Sequence, residues 1–391
     1  MSEIPTSMSA PGSSTAPTAP TAPSTGYATA VWVVVVIVVA AALGGVGFYA
    51  GYEYRGSPAA NPGVTENTTL SILGAGTLTD TFPQVASALV NETPGITAPL
   101  AAQTYEGSLD VTTAITPPME EKTDVAALAD FRLAPQLLEP NYATYEIVFA
   151  QTQEVLIYNS SLAAFSGVNA SNWGQKLVAD VSTSGNAPFG VWNASTDPNG
   201  YNEIFSMMLQ GQLYNSTPDV SAVYGHFYSG APGQYATPNP ATTRIEKESQ
   251  AALLVNKGVV SAVITYKAVA VQNHLPYVLL NPIVGLGANN STALSDYAKL
   301  STKIISSTGS LTSVVPAPIL FAVTIPSNAP NPSLGALFVH LLLSPQGSAI
   351  LSEGGAWTPI FPGWSDHPSA VPGLLAPDVT ALPAWASPFV S

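Results

Sequence analysis

From Ala28 to Phe48 the chain runs apolar, mostly Val and Ala, without one charged residue. At about 1.5 Å of rise per residue such a run crosses the ~30 Å hydrocarbon core of a bilayer. Trp32 near one end and Tyr49, Tyr52 and Tyr54 at the other stand where interfacial aromatics belong. Residues 28–50 are therefore predicted to form a transmembrane or signal-anchor helix. A secretory signal cleaved near Ala40-Ala41-Ala42 is the competing reading; the missing basic n-region and the length of the run favour a retained anchor. Before it, residues 1–27 are Pro, Thr, Ala and Ser with no apolar period and read as a disordered tail; residues 51–67 read as a linker.

From Leu70 the pattern changes to short apolar runs separated by Gly, Pro and polar clusters. LSILGAG reads as a buried strand entering a Gly turn, and TDTFPQVASALV opens a helix. TDVAALAD, VSAVITYKAV, PYVLLN and ILFAVTIP read as strands. YEIVFAQTQEVLIYN is a β-rich run long enough to pass between two lobes. Leu334, Leu337, Phe338, Leu341 and Leu342 follow i, i+3, i+4 spacing behind Asn331-Pro332, which predicts one C-terminal helix through SPQGSAIL. Strands alternating with helices predict α/β architecture with largely parallel sheets, and no internal repeat is present. From 363 to 391 the Pro-, Ala- and Trp-rich sequence predicts an irregular tail.

Charge narrows the function. Across 391 residues, Lys and Arg number only 10 against 24 Asp and Glu, so no basic patch exists to neutralise phosphates and nucleic acid is excluded as a partner. Only 9% of residues are charged, against roughly 25% in ordinary soluble domains, so the surface is polar chiefly through hydroxyls and amides. This composition suits an acidic, extracytoplasmic setting. No Cys is present, which removes disulfides, thiolate metal sites and a lipid-anchor Cys. Sequons begin at Asn67, Asn91, Asn159, Asn169, Asn193, Asn215, Asn289 and Asn290, all after the apolar run, and predict a glycosylated domain outside the cell.

Catalytic signatures are missing. His226, His274, His340 and His367 fall in no metal-binding spacing, and neither a nucleophile elbow nor a phosphate loop occurs, so no enzyme is predicted. Three polar turns remain at strand-to-helix junctions: Gly74–Leu78, Glu106–Leu109 and Ser195–Tyr201. Glycine allows close backbone approach. A Ser or Thr at a helix start sets a hydroxyl beside free N–H groups, which suits an oxyanion without any Lys or Arg. Ordinary helix capping explains any one of these turns equally well.

Together the turns stand in a longer pattern. GAGTLTDTF, TDVAALADFRLAPQLLEPNYATYEIVFAQTQEVLIY, FGVWNASTDPNGY, RIEKES, VITYKAVAVQNHLPYV and PAPILFAVTIPSNAP resemble, in order, the archaeal tungstate/molybdate-binding proteins of ABC transporters. The resemblance spans about Leu70 to Pro359. It implies a type II periplasmic-binding-protein fold with two lobes joined by hinge strands: residues 68–149 plus 319–362 in one lobe and 150–318 in the other. It implies that Thr77, standing where the family has Ser, and Ser108 supply hydroxyls to a tetrahedral oxyanion. Tyr266 hydrogen-bonds the anion, and Asp197 and Glu248 reach its metal centre. Asn199 replaces a common Cys. No cofactor is implied beyond the tungstate or molybdate ligand; the partners are an ABC permease and, through the N-terminal helix, the cell membrane.

Carboxylates beside a dianion are repelled, by roughly 4 kcal/mol for unit charges 4 Å apart at an effective dielectric of 20. Molybdenum(VI) and tungsten(VI) offset this by accepting two more oxygen ligands, which sulfur and phosphorus do not. The expected function is thus extracellular capture of tungstate or molybdate; a cell-surface sensor, or a binding protein for another oxyanion, is the alternative.

Overall fold

The computed structural model describes residues 68–182, 187–214, 221–230, 233–239, 242–305 and 309–390. The expected anchor at 28–50 lies outside them. Among the described residues no single helix is long and apolar enough to cross a membrane.

Two mixed sheets with helices packed on them make the two lobes, in the α/β class the sequence predicts. The larger sheet has the strand order Val379–Ala381, Thr358–Ser365, Ile147–Gln151, Leu320–Thr324, Val125–Leu128, Ile72–Ala75, Gln103–Glu106. The smaller runs Thr242–Ile245, Phe189–Trp192, Ala262–Tyr266, Glu154–Tyr158, Tyr277–Leu279. Ile72–Ala75 and Val125–Leu128 are buried along their whole length, which is why they read as continuous apolar runs rather than alternating ones.

The β-rich run predicted to pass between lobes passes from one sheet to the other. Ile147–Gln151 belongs to the larger sheet and Glu154–Tyr158 to the smaller. The chain returns before Leu320, and the two crossings are tied by a bond from Thr152 N–H to Ile319 O (3.2 Å). These crossings correct the expectation of largely parallel sheets. Ile72–Ala75 is parallel to both its neighbours, but Leu320–Thr324 is antiparallel to Val125–Leu128 and to Ile147–Gln151, and Glu154–Tyr158 is antiparallel to both of its neighbours. A strand that re-enters a lobe from the other lobe runs against those built by strand–helix–strand crossovers.

Phe82 packs its ring on Phe338 (5.1 Å) and Phe149 (5.8 Å) beneath the larger sheet, and Phe189 meets Phe227 (4.9 Å) in the other lobe. The single predicted C-terminal helix is two helices, Pro332–Leu343 and Pro345–Ser352, bent by 65°. Pro345 has no N–H to continue the first, and Ser344 Oγ accepts from Gly347 N–H (3.2 Å) to start the second.

The stretch from 363, expected to be irregular, carries an ordered strand. Val379–Ala381 pairs in parallel with Gly363–Ser365 at the sheet's end. Trp385 packs on Trp364 (6.0 Å) and Phe389 on Phe131 (6.3 Å). Its aromatic residues pack in one cluster with Val148, Leu320, Ala322 and Ile360 of the sheet, a tertiary role that leaves no periodic trace in a Pro-rich sequence.

Candidate functional site

Each polar turn sits where a strand ends, buried for two of the three. After Ile72–Ala75 the backbone makes the short helical turn Gly76–Leu78, and Thr77 is 2% exposed with no hydrogen-bond partner for its Oγ1. Ser108 is the first residue of helix Ser108–Ile115; its Oγ accepts from Ala129 N–H (2.8 Å), which leaves the hydroxyl proton to be donated elsewhere. Asp197 precedes helix Pro198–Tyr214, and its Oδ1 accepts from Asn199 N–H (2.8 Å). Tyr266 ends strand Ala262–Tyr266, wholly buried. Asn202 Nδ2 donates to its hydroxyl oxygen (3.2 Å), so this O–H too is left to donate.

The two lobes meet at these turns. Leu109 N–H donates to Thr196 O across the cleft (3.1 Å), and Gly107 lies so close to the Thr196 carbonyl that a side-chain carbon there would overlap it. Helix Glu248–Asn256 packs on the Gly76–Leu78 turn. The charge of Asp197 acts on both Tyr266 and Tyr201. Ser108, Asp197 and Tyr266 are thus brought to one region, and Thr77 follows the strand beside the one that leads to Ser108. Glu248 is the first residue of its helix, beside the same turn, but its side chain lies outside the described residues.

Three further groups complete the cleft. Asp130, just after strand Val125–Leu128, takes a forked bond from Arg132: Nε to Oδ1 (2.9 Å) and Nη2 to Oδ2 (2.6 Å). Tyr201 of the facing lobe donates its hydroxyl to the same Oδ2 (2.6 Å) and lies under the guanidinium. The local sequence signal was a lone Arg two residues after an Asp inside the stretch ADFRLAP. Asn199, turned to satisfy both ends of its amide, donates to Glu154 Oε1 (2.9 Å) and accepts from Thr265 Oγ1 (3.1 Å). Glu203 is fully buried and held by the Tyr228 hydroxyl and by Trp192 N–H. Helix Pro198–Tyr214 buries Asn199, Asn202, Glu203, Ser206 and Gln210, so no apolar stripe marked it in advance.

Burial pushes the carboxyls of Glu154 and Glu203 well above the ordinary range, and for Glu154 the neighbouring Glu203 and Asp197 add to it. Burial also raises Tyr266, with Asp197 and Glu154 adding, which keeps it a neutral donor. Burial alone would raise Asp130 too, but the Arg132 guanidinium and the Tyr201 hydroxyl outweigh it and hold the carboxyl below its usual value. A raised carboxyl stabilises the fold fully below its unfolded pKa and loses that contribution as pH climbs through the folded pKa; a lowered one behaves oppositely. Stability should therefore rise as pH falls from the alkaline side toward the ordinary carboxyl range near about 4–5 and drop once Asp130 protonates below about pH 4. Urea unfolding followed by Trp fluorescence across this range checks it; a stability maximum near neutrality would contradict the burial of Glu154 and Glu203.

The sequence profile described as bacterial extracellular solute-binding protein matches residues 70–356. A solute-binding protein of Methanoculleus marisnigri is 28% identical over 323 residues, covering 79% of this chain and 87% of its own length. The molybdate/tungstate-binding protein WtpA of Thermococcus kodakarensis is 28% identical over 321 residues, covering 78% of this chain and 86% of its own. Among solved structures, the periplasmic molybdate-binding protein of Azotobacter vinelandii superposes with a TM-score of 0.49 at 13% identity, over 74% of this chain and 98% of that one. With the profile spanning most of its length, the chain belongs to the bacterial extracellular solute-binding protein family.

Proposed function

We propose that this chain captures molybdate or tungstate outside the cell and delivers it to the permease of an ABC transporter. The observation that carries the reading is the pair of hydroxyls at the cleft. Thr77 Oγ1 is buried with no partner, and Ser108 Oγ accepts from a backbone amide but has no internal acceptor for its own proton. Buried donors without acceptors cost about 1–3 kcal/mol each unless a ligand takes them. Tyr266 adds a third such hydroxyl from the facing lobe. Arg132, the guanidinium at this cleft, is already engaged by Asp130, so neutral dipoles rather than a free cation would hold the anion. Asp197 on the same cleft favours an oxyanion whose central atom accepts further oxygens. The names of the related molybdate/tungstate-binding proteins agree with this choice. In this reading residues 28–50 anchor the protein in the cell membrane, the binding domain faces outward, and Glu248 supplies the second carboxylate.

Calorimetric titration of the full chain with tungstate, molybdate, sulfate and phosphate tests the reading. Tungstate and molybdate should bind at least about 100-fold more tightly than the other two, about 2.7 kcal/mol. Sulfate bound as tightly as tungstate would overturn it.

A further inference from the structure

Away from the cleft, a surface cavity of about 570 Å³ in the larger lobe is lined by Pro135, Glu139, Ser365, Asp366, His367 and Leu382. Glu139 follows the turn Ala134–Leu138, and Asp366 and His367 follow strand Thr358–Ser365. One ligand atom from each of Glu139, Asp366 and His367 lies within 4.8 Å of the other two. His367 Nε2 stands 3.4 Å from Glu139 Oε2 and 3.8 Å from Asp366 Oδ2. Both distances exceed a normal N–H···O bond. They match the edges of a coordination shell: ligands at about 2.0–2.1 Å from a tetrahedral ion lie about 3.3–3.4 Å apart, and those around an octahedral ion about 3.0–4.2 Å apart.

The surroundings are built to hold this arrangement. Asp366 Oδ1 accepts from Glu146 N–H (3.1 Å) and His367 N–H (2.8 Å), which fixes the carboxylate and leaves Oδ2 toward the imidazole. The Glu139 and Asp366 side chains are only 7% and 6% exposed, and Glu139 Oε1 is buried with no hydrogen-bond partner among the described residues. Glu146 is wholly buried, with neither carboxyl oxygen partnered, and the carboxylates of Asp366 and Glu139 act on it directly. Among the described residues no Lys or Arg pairs with any of these groups. Three carboxyls withdrawn from water, with only the exposed His367 imidazole beside two of them, would be strongly unfavourable if all were charged.

We propose that Glu139, Asp366 and His367 form a divalent metal site for an ion of the zinc or manganese class, with Glu146 as the supporting acid beneath. Two carboxylates and an imidazole suit a borderline first-row ion better than calcium, whose ligands are all oxygen. The ion ties the loop carrying Glu139 to the C-terminal segment carrying Asp366 and His367, and so fastens the sheet's C-terminal edge to the lobe. The site shares no residue with the oxyanion cleft and stands or falls without it.

The test is titration of the untagged full chain, stripped with chelator, with zinc chloride and with manganese chloride. One equivalent should bind and raise Tm. His367 is 62% exposed, so His367→Ala leaves the fold intact and should lower affinity at least tenfold. Asp366→Asn should abolish binding, while tungstate titration of both variants stays as in the unsubstituted chain. A stripped chain that takes up neither ion would overturn the site. So would variants that bind the ion unchanged, which would place it elsewhere on an acidic protein.

Discussion

Replacing Gly107 with alanine is expected to reduce tungstate affinity at least about 100-fold, roughly 2.7 kcal/mol, while leaving the protein folded. Gly107 precedes helix Ser108–Ile115 at φ −58° and ψ 139°, a conformation that alanine adopts without strain. The glycine is therefore not needed by its own turn. It is needed because a Cβ would overlap the Thr196 carbonyl oxygen of the facing lobe. That neighbour is backbone, held in turn by Leu109 N–H, and cannot swing aside as a flexible side chain would. The substitution thus acts on the closed arrangement and hardly on either lobe alone. Closure brings Ser108 against the Thr196–Asp197 turn, so a wedge there separates the hydroxyls of one lobe from the carboxylate of the other. Solution scattering with saturating tungstate should show the variant failing to contract, while its unfolding midpoint without tungstate is unchanged. If Gly107→Ala contracts and binds like the unsubstituted chain, the contact at Thr196 does not control closure.

Residues that act locally could be read from the chain, and residues that act through tertiary meeting could not. Ile72–Ala75, Val125–Leu128 and Leu320–Thr324 are buried apolar runs closed by Gly, Asp or Pro, and each was a strand in the sequence pattern. Thr77, Ser108 and Asp197 were visible as hydroxyl or carboxylate residues at strand-to-helix turns, because the Gly or Pro that makes each turn stands beside them. Their convergence was not visible in spacing; it rested on resemblance. Helix Pro198–Tyr214 shows why. Its buried face carries Asn199, Asn202, Glu203 and Gln210, which bond partners such as Tyr266, Tyr228 and the backbone of Ser171, far along the chain. A periodicity argument counts such residues as solvent-facing. The Asp130–Arg132–Tyr201 contact is of the same kind: two members stand two residues apart, and the third arrives from the other lobe. The acid cluster of Glu139, Glu146 and Asp366 was hidden for a further reason. Its members come from two segments brought together by the pairing of Thr358–Ser365 with Ile147–Gln151, and Asp366 lies within a stretch whose composition suggested no order.

Asp197→Asn should separate tungstate from sulfate. Asparagine keeps the side-chain oxygen that accepts from Asn199 N–H, so the start of helix Pro198–Tyr214 stays capped; Asp197→Ala would also lose that cap, at about 1 kcal/mol. What asparagine removes is the negative charge and with it a good oxygen ligand for a d⁰ metal centre. Tungstate affinity should fall at least about tenfold, about 1.4 kcal/mol. Sulfate carries the same charge but its sulfur takes no further ligand, so for sulfate the carboxylate is only repulsive, by up to roughly 4 kcal/mol at 4 Å and an effective dielectric of 20. Removing it should leave sulfate affinity level or raise it. Glu248→Gln should act in the same direction. Thr77→Ala is the internal contrast: it deletes a hydroxyl that meets any tetrahedral oxyanion, so tungstate and sulfate should weaken together. Paired titrations on the three variants decide the matter by the ratio of the two affinities rather than by either alone. A ratio that collapses for the carboxylate variants and holds for Thr77→Ala assigns selectivity to the acids. Equal tungstate binding by Asp197→Asn and the unsubstituted chain would return Asp197 to the role of a helix cap.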